Sequence, residues 1–82
     1  MGLTPEEAIR ATLAARDRDL TICPSEAARA LDPAAWRDHM DAVRNAAAAM
    51  ADRGEIEITQ RGAVVDVRIA QGPIRLRART SS

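Results

Sequence analysis

The chain reads as an α+β domain, three helices followed by a C-terminal β-hairpin, and three observations carry that reading. Proline opens each helical stretch, at Thr4-Pro5, Cys23-Pro24 and Asp32-Pro33, and in the first and last it follows a side chain able to cap a helix. After Gly54 the apolar period changes from helical spacing to alternation. The aliphatic volume is also too small for helices alone: 18 of the 38 hydrophobic residues are Ala, which leaves six Ile, five Leu, four Val, three Met and Trp36 as core formers beside one Cys. Three short helices built from that set leave an open side, and the apolar face of the hairpin is the surface available to close it.

The first helix begins at Thr4-Pro5-Glu6-Glu7, a hydroxyl cap followed by proline and by a Glu three residues after the cap. Ile9 and Leu13 share one face, and the run ends near the solvated Arg16-Asp17-Arg18-Asp19. Leu20-Thr21-Ile22 is long enough only for a minor strand or an extended link, and it is expected to pair as a short third strand. Pro24 opens a second helix, Ser25 to about Leu31, with Ala27, Ala28 and Leu31 inward and Glu26 and Arg29 toward water. Asp32-Pro33 then starts a third helical region that runs to Arg53, with Gly54 as its stop. Trp36, Met40, Val43, Ala47 and Met50 step by four and three along one face of it, with room for a kink near Met40 or Asp41.

Ile56 and Ile58 alternate with Glu55, Glu57 and Thr59 as a half-buried strand, and Gln60-Arg61-Gly62 turns the chain. Ala63 to Gln71 has no clean period and is expected to be a long connection at the hairpin tip, closed by Gly72-Pro73. Ile74, Leu76 and Ala78 alternate with Arg75, Arg77 and Arg79 in the returning strand, and Thr80-Ser81-Ser82 is a frayed tail. In order, these elements make a winged helix-turn-helix. One domain is expected over residues 1–82, ordered over about 4–79.

Thr21-Ile22-Cys23-Pro24-Ser25-Glu26 with Ala28-Arg29-Ala30-Leu31, Trp36-Arg37, Val43-Arg44, Ile56-Glu57-Ile58-Thr59-Gln60 and Gly72-Pro73-Ile74-Arg75-Leu76-Arg77 resemble a bacterial family of small domains of unknown function. The resemblance covers nearly the whole chain. It implies a winged-helix fold and supplies no activity, substrate or binding residues, so function rests on the site. The family pattern carries a basic residue after the turn glycine where this chain has Ala63, which argues against a strongly cationic wing tip.

Composition narrows the function classes. Trp36 is the only aromatic residue, which removes binding modes that stack successive bases on aromatic platforms. Twelve Arg, with no Lys, balance twelve acids, so no global field draws the chain to nucleic acid or membrane. The charge is uneven, however: residues 1–52 carry six Arg against nine acids, and residues 53–82 carry six Arg against three. One Cys forms no internal disulfide, no stretch is long enough to span a bilayer, and Glu6 breaks a myristoylation pattern at Met1-Gly2, so a cytoplasmic setting is expected. One Cys and one His fall short of a zinc site, and the glycines lack phosphate-loop spacing. Nothing orders Cys23, Ser25 and His39 as a catalytic set, so neither an enzyme, a small-molecule substrate nor a cofactor is expected. Cys23 at a helix start favours thiolate, but without a second Cys its preferred reading is a small packed hydrophobe.

The favoured expectation is binding to duplex DNA, with transcriptional regulation as its setting. In this architecture the second helix of the turn motif enters the major groove, and the hairpin reaches the backbone or minor groove. Arg37, Arg44 and Asn45 on the third helix are the candidate DNA contacts, and Arg44 and Asn45 suit base edges, since Arg forks to guanine and Asn pairs with adenine. Asp38 and Asp41 on the same face would repel phosphates, and a merely solvated face is the competing account. Arg61 and Arg68 are the candidate phosphate contacts on the wing. They are preferred because Arg75, Arg77 and Arg79 are expected to spend charge on cross-strand pairs with Glu55 and Glu57. Trp36 is read as core in preference to a ligand-stacking residue. The alternative function is a protein-interaction or homodimer module, through the Ala-rich face at Ala46, Ala48 and Ala49 or the apolar tip at Val64, Val65 and Val67. A DNA-binding dimer would set its recognition helices roughly 34 Å apart.

Overall fold

A computed structural model describes residues 3–16 and 20–79 of the chain. Part of the charged turn expected after the first helix and the expected frayed tail at Thr80-Ser81-Ser82 lie outside the described residues. The elements are α1 (Pro5–Ala14), α2 (Pro24–Leu31), a short 3-10 turn (Trp36–His39), α3 (Met40–Asp52), β1 (Ile56–Gln60), β2 (Ala63–Val64) and β3 (Arg75–Ala78). The domain is α+β, with three α-helices and one antiparallel sheet in the order β2-β1-β3.

Helix α1 starts as its capping residues predict. Thr4 Oγ1 accepts from the Glu7 backbone N–H at 3.1 Å, and Glu7 Oε1 accepts from the Thr4 N–H at 2.8 Å, so two donors at the helix start are satisfied reciprocally. Helix α2 has Pro24 in its first turn, and the Glu26 carboxylate reaches back to the Cys23 N–H at 2.8 Å. Asp32 then ends α2 in extended backbone, as a residue before proline must. Its Oδ1 accepts from the N–H groups of Ala34 and Ala35, each at 3.1 Å, and those bonds shape a turn, not a helix. The third helical region therefore begins at Trp36, later than Asp32-Pro33 suggested, and its first four residues are 3-10. A 3-10 turn rotates its side chains by more per residue than an α-helix does, so Trp36 and Met40 sit half-buried at the margin of the stripe that Val43, Ala47 and Met50 bury fully.

Gly54 closes α3 at φ +76°, with its N–H on the Ala51 carbonyl at 3.0 Å and the Glu55 N–H on the Met50 carbonyl at 2.9 Å. This pair of bonds is a Schellman stop, and it turns the chain directly into β1.

In the sheet, β1 is central. Ile56 lies opposite Ala78 and Ile58 opposite Leu76, so the alternating side chains of both strands face the helices. Ile9, Ile22, Val43, Met50, Ile58, Ile74 and Leu76 form the fully buried centre of the core. Leu20-Thr21-Ile22 contributes less than a strand: Ile22 alone bridges Leu76, and the third strand is Ala63–Val64. A two-residue turn makes that pairing possible, because Arg61 at φ +55° and Gly62 at φ +83° match the twist of a tight hairpin. The stretch expected as one long tip is thus divided. Ala63 and Val64 pair back on β1, the chain bends at Asp66, and Val67 tucks into the core. Gln60 Nε2 ties the end of the loop down by donating to the carbonyls of Gln71 and Pro73.

Candidate nucleic-acid interface

The buried stripe of α3 fixes what its opposite side presents. With Val43, Ala47 and Met50 inward, Asp41, Arg44 and Asn45 turn outward and line a shallow depression with Ala48, Val67 and Arg68. The loop after β2 forms its other wall, because Val67 is buried beside α3 and draws Arg68 with it. Arg44, Asn45 and Arg68, three of the candidate residues, therefore meet in one place. Asp41 adds a carboxylate there.

The depression does not include Arg37 or Arg61. Arg37 lies in the 3-10 turn, with its guanidinium carbon 4.4 Å from the centre of the Trp36 ring. Arg61 stands exposed at the first position of the β1–β2 turn, in the left-handed conformation. Among the described residues neither Arg61 nor Arg44 has a carboxylate within ion-pair distance.

The charge bookkeeping on the wing departs from expectation. Arg68, expected to be less compromised than the strand arginines, is held by Asp52 at 2.5 Å and by Asp66 at 3.5 Å. The hydrogen bond from Arg68 keeps the Asp52 carboxyl below its ordinary range, and the same contact raises Arg68. On the strands only Arg77 makes the expected cross-strand pair, donating from Nε to Glu57 Oε1 at 3.1 Å. Arg75 instead donates to Thr21, to Oγ1 at 2.8 Å and to the carbonyl at 3.0 Å. Glu55 turns away from the strand arginines toward Arg10 and Arg53, whose hydrogen bonds, Arg10 first, bring its carboxyl down to about 2. Glu6 bridges the same two arginines, so the cluster joins α1 to the end of α3 and the start of β1.

One basic residue escaped the sequence reading. Arg29, read only as facing water, has its guanidinium carbon 4.5 Å from the Trp36 ring centre. That contact crosses the turn between α2 and the 3-10 segment, where no helical spacing announces it.

Among the described residues no helix is long and apolar enough to cross a membrane, and no group of three His, Cys, Asp or Glu side chains is placed to hold a metal ion. No curated protein matches the chain. A match to the family model described as "Protein of unknown function (DUF3253)" runs over residues 3–79, in keeping with the resemblance carried by the motifs above, and the chain belongs to that family.

Proposed function

We propose that this chain is a winged-helix domain that binds duplex DNA and serves in transcriptional regulation. The observation that carries the reading is the pairing of Arg44 and Asn45 on the outward side of α3, adjacent in sequence and facing one depression. These are the side chains suited to forking onto guanine and adenine edges in a major groove. The element order supports it: α1, the Ile22 bridge, α2, a tight turn, α3 and then strands is the order of a winged helix-turn-helix. Arg61 at the turn is the phosphate contact of the wing, with a secondary contribution from Arg68 once it leaves its carboxylates. Arg37 contributes charge near the start of α3. The chemistry is binding, not catalysis, and the single free thiol of Cys23 suits a reducing, cytoplasmic setting.

A labelled mixed-sequence duplex titrated at about 50 and 200 mM salt tests this by fluorescence anisotropy. The expected result is micromolar binding that falls steeply with salt, with Arg44→Ala altering sequence preference and Arg61→Ala weakening all sequences alike. Absence of binding at the lower salt overturns the reading.

A second reading rests on a separate observation. Val64 is 61% exposed on the free edge of the sheet and Ile69 is 79% exposed in the loop beside it, an apolar pair suited to a protein partner or a second copy. Val64→Asp would then abolish self-association, a cleaner test than Val65, which is half-buried and donates its N–H to the Ile58 carbonyl at 2.8 Å.

A further inference from the structure

We propose that Arg29, Trp36 and Arg37 form a phosphate-binding cluster in which the indole aligns two guanidinium groups for a shared oxyanion. In its nucleic-acid form the proposal rests on the DNA reading above, since the cluster then supplies a backbone contact beside α3.

Arg10, Arg16, Arg53, Arg68 and Arg77 are each committed to carboxylates, and Arg75 to Thr21. Arg29 and Arg37 are exposed and, among the described residues, have no carboxylate within ion-pair distance. The carboxylates nearest in sequence are engaged elsewhere or make no contact with them: Glu26 pairs with Arg16, and Asp32 takes two backbone N–H groups and faces His39 at 3.5 Å. Asp38 and Asp41 form no ion pair among the described residues.

Trp36 supplies the order that an exposed arginine ordinarily lacks. Each guanidinium carbon lies within 4.5 Å of the ring centre, so the two cationic centres sit less than about 9 Å apart. Stacking on an aromatic face restrains a guanidinium yet leaves its five N–H donors unspent, because the attraction is to the ring and not to a lone pair. The two cations repel each other, and an anion that reaches both guanidinium groups at the rim of the ring gains from each. An anion with several acceptor oxygens and more than one negative charge fits that demand, which is the chemistry of a phosphate group. A carboxylate, with one charge, satisfies one fork. The cluster also lies at the turn between α2 and the segment leading into α3, where backbone phosphates would run if α3 entered a groove.

Trp36 is the only tryptophan, so its emission reports on the cluster directly. Two titrations followed by that emission test the proposal, one with inorganic tripolyphosphate and one with a mixed-sequence duplex at about 50 mM salt, the duplex arm also read by anisotropy. The expected result is a saturable emission change with tripolyphosphate that Arg29→Gln and Arg37→Gln each weaken by about tenfold. Arg29→Lys and Arg37→Lys keep the charge and the stem while losing the fork, and they should retain the fold and bind several-fold more weakly. The same emission change with duplex assigns the phosphate to nucleic acid. A response to tripolyphosphate without duplex binding upholds the cluster as a site for a free phosphate compound and overturns the DNA reading. Duplex binding by anisotropy with unmoved Trp36 emission, and with both Gln variants binding as the parent does, overturns the cluster and leaves the α3 reading intact. Silence toward both ligands overturns the cluster as well.

Discussion

Ile22 and Leu76 exchange both of their backbone hydrogen bonds, each at 2.8 Å, and both side chains are fully buried. This one bridge fastens the link between α1 and α2 to the outer edge of β3, so the helical layer and the sheet share a covalently distant joint. The exchange satisfies the backbone N–H and C=O of both residues, and among the described residues no buried side-chain nitrogen or oxygen lacks a hydrogen-bond partner. Leu76→Ala should therefore lower the unfolding free energy by about 2–5 kcal/mol in a denaturant titration, because the site is walled by two layers and has little freedom to collapse. A loss under about 1 kcal/mol would mean that the core closes without this joint.

Acid should weaken the fold through Glu55. Its carboxyl is held down to about 2 by the hydrogen bonds of Arg10 and then Arg53, against an ordinary value of 4.5. A group depressed in the folded state contributes stability that is fully present above its unfolded value and is lost as pH falls through the folded one. Glu6 is shifted the same way by Arg53 and Arg10 and adds to the trend. The thermal midpoint should fall as pH drops from about 4.5 toward about 2, and Glu55→Gln should flatten that fall while lowering the midpoint at neutral pH. These groups are exposed, so added salt should shrink the difference between the two proteins. An equal acid slope in Glu55→Gln would remove the cluster as its source.

What the sequence made legible, and what it hid, divides along a physical line. Features set within one element were readable: the Thr4–Glu7 cap, the Gly54 stop, and the alternation of buried Ile56 and Ile58 with Glu57 along β1 each follow from local spacing. Features made by two elements meeting were not. Strand β2 has two residues, both exposed, and its existence depends on the left-handed turn at Arg61 and Gly62. Val67 is buried because the loop folds back under α3, which no period within residues 63–71 encodes. The same holds at the site. Outward placement of Arg44 and Asn45 follows from helical spacing on α3, whereas the capture of Arg68 by Asp52 and the stacking of Arg29 on Trp36 are tertiary contacts between separate segments.

Arg61 sets stability against binding. A side chain other than Gly or Asn in the left-handed region is strained, and here it occupies the first position of a two-residue hairpin turn that favours Asn-Gly. Arg61→Asn should raise the unfolding free energy by about 1 kcal/mol and, on the proposed function, weaken duplex binding with a salt slope reduced by about one. Stability read by denaturant and affinity read by anisotropy should thus move in opposite directions. A stabilised variant that binds as tightly as the parent would remove Arg61 from the interface.

Asp52 is the restraint on the wing. It holds Arg68 at 2.5 Å, with Asp66 on the other nitrogen at 3.5 Å, so the residue best placed to add charge beside Arg44 and Asn45 is neutralised in the unbound chain. A phosphate arriving at that depression must compete with the Asp52 carboxylate for the same guanidinium. Asp52→Asn keeps the size and a hydrogen-bond acceptor, and it removes one negative charge next to the site. It should tighten duplex binding at about 50 mM salt and steepen the salt slope by about one as Arg68 engages a phosphate. The gain should vanish in Asp52→Asn with Arg68→Gln, because the released arginine and not the general change in net charge carries it. If the double variant still binds more tightly than Arg68→Gln alone, the effect is long-range electrostatics, and Arg68 stays with the loop and takes no part in the interface.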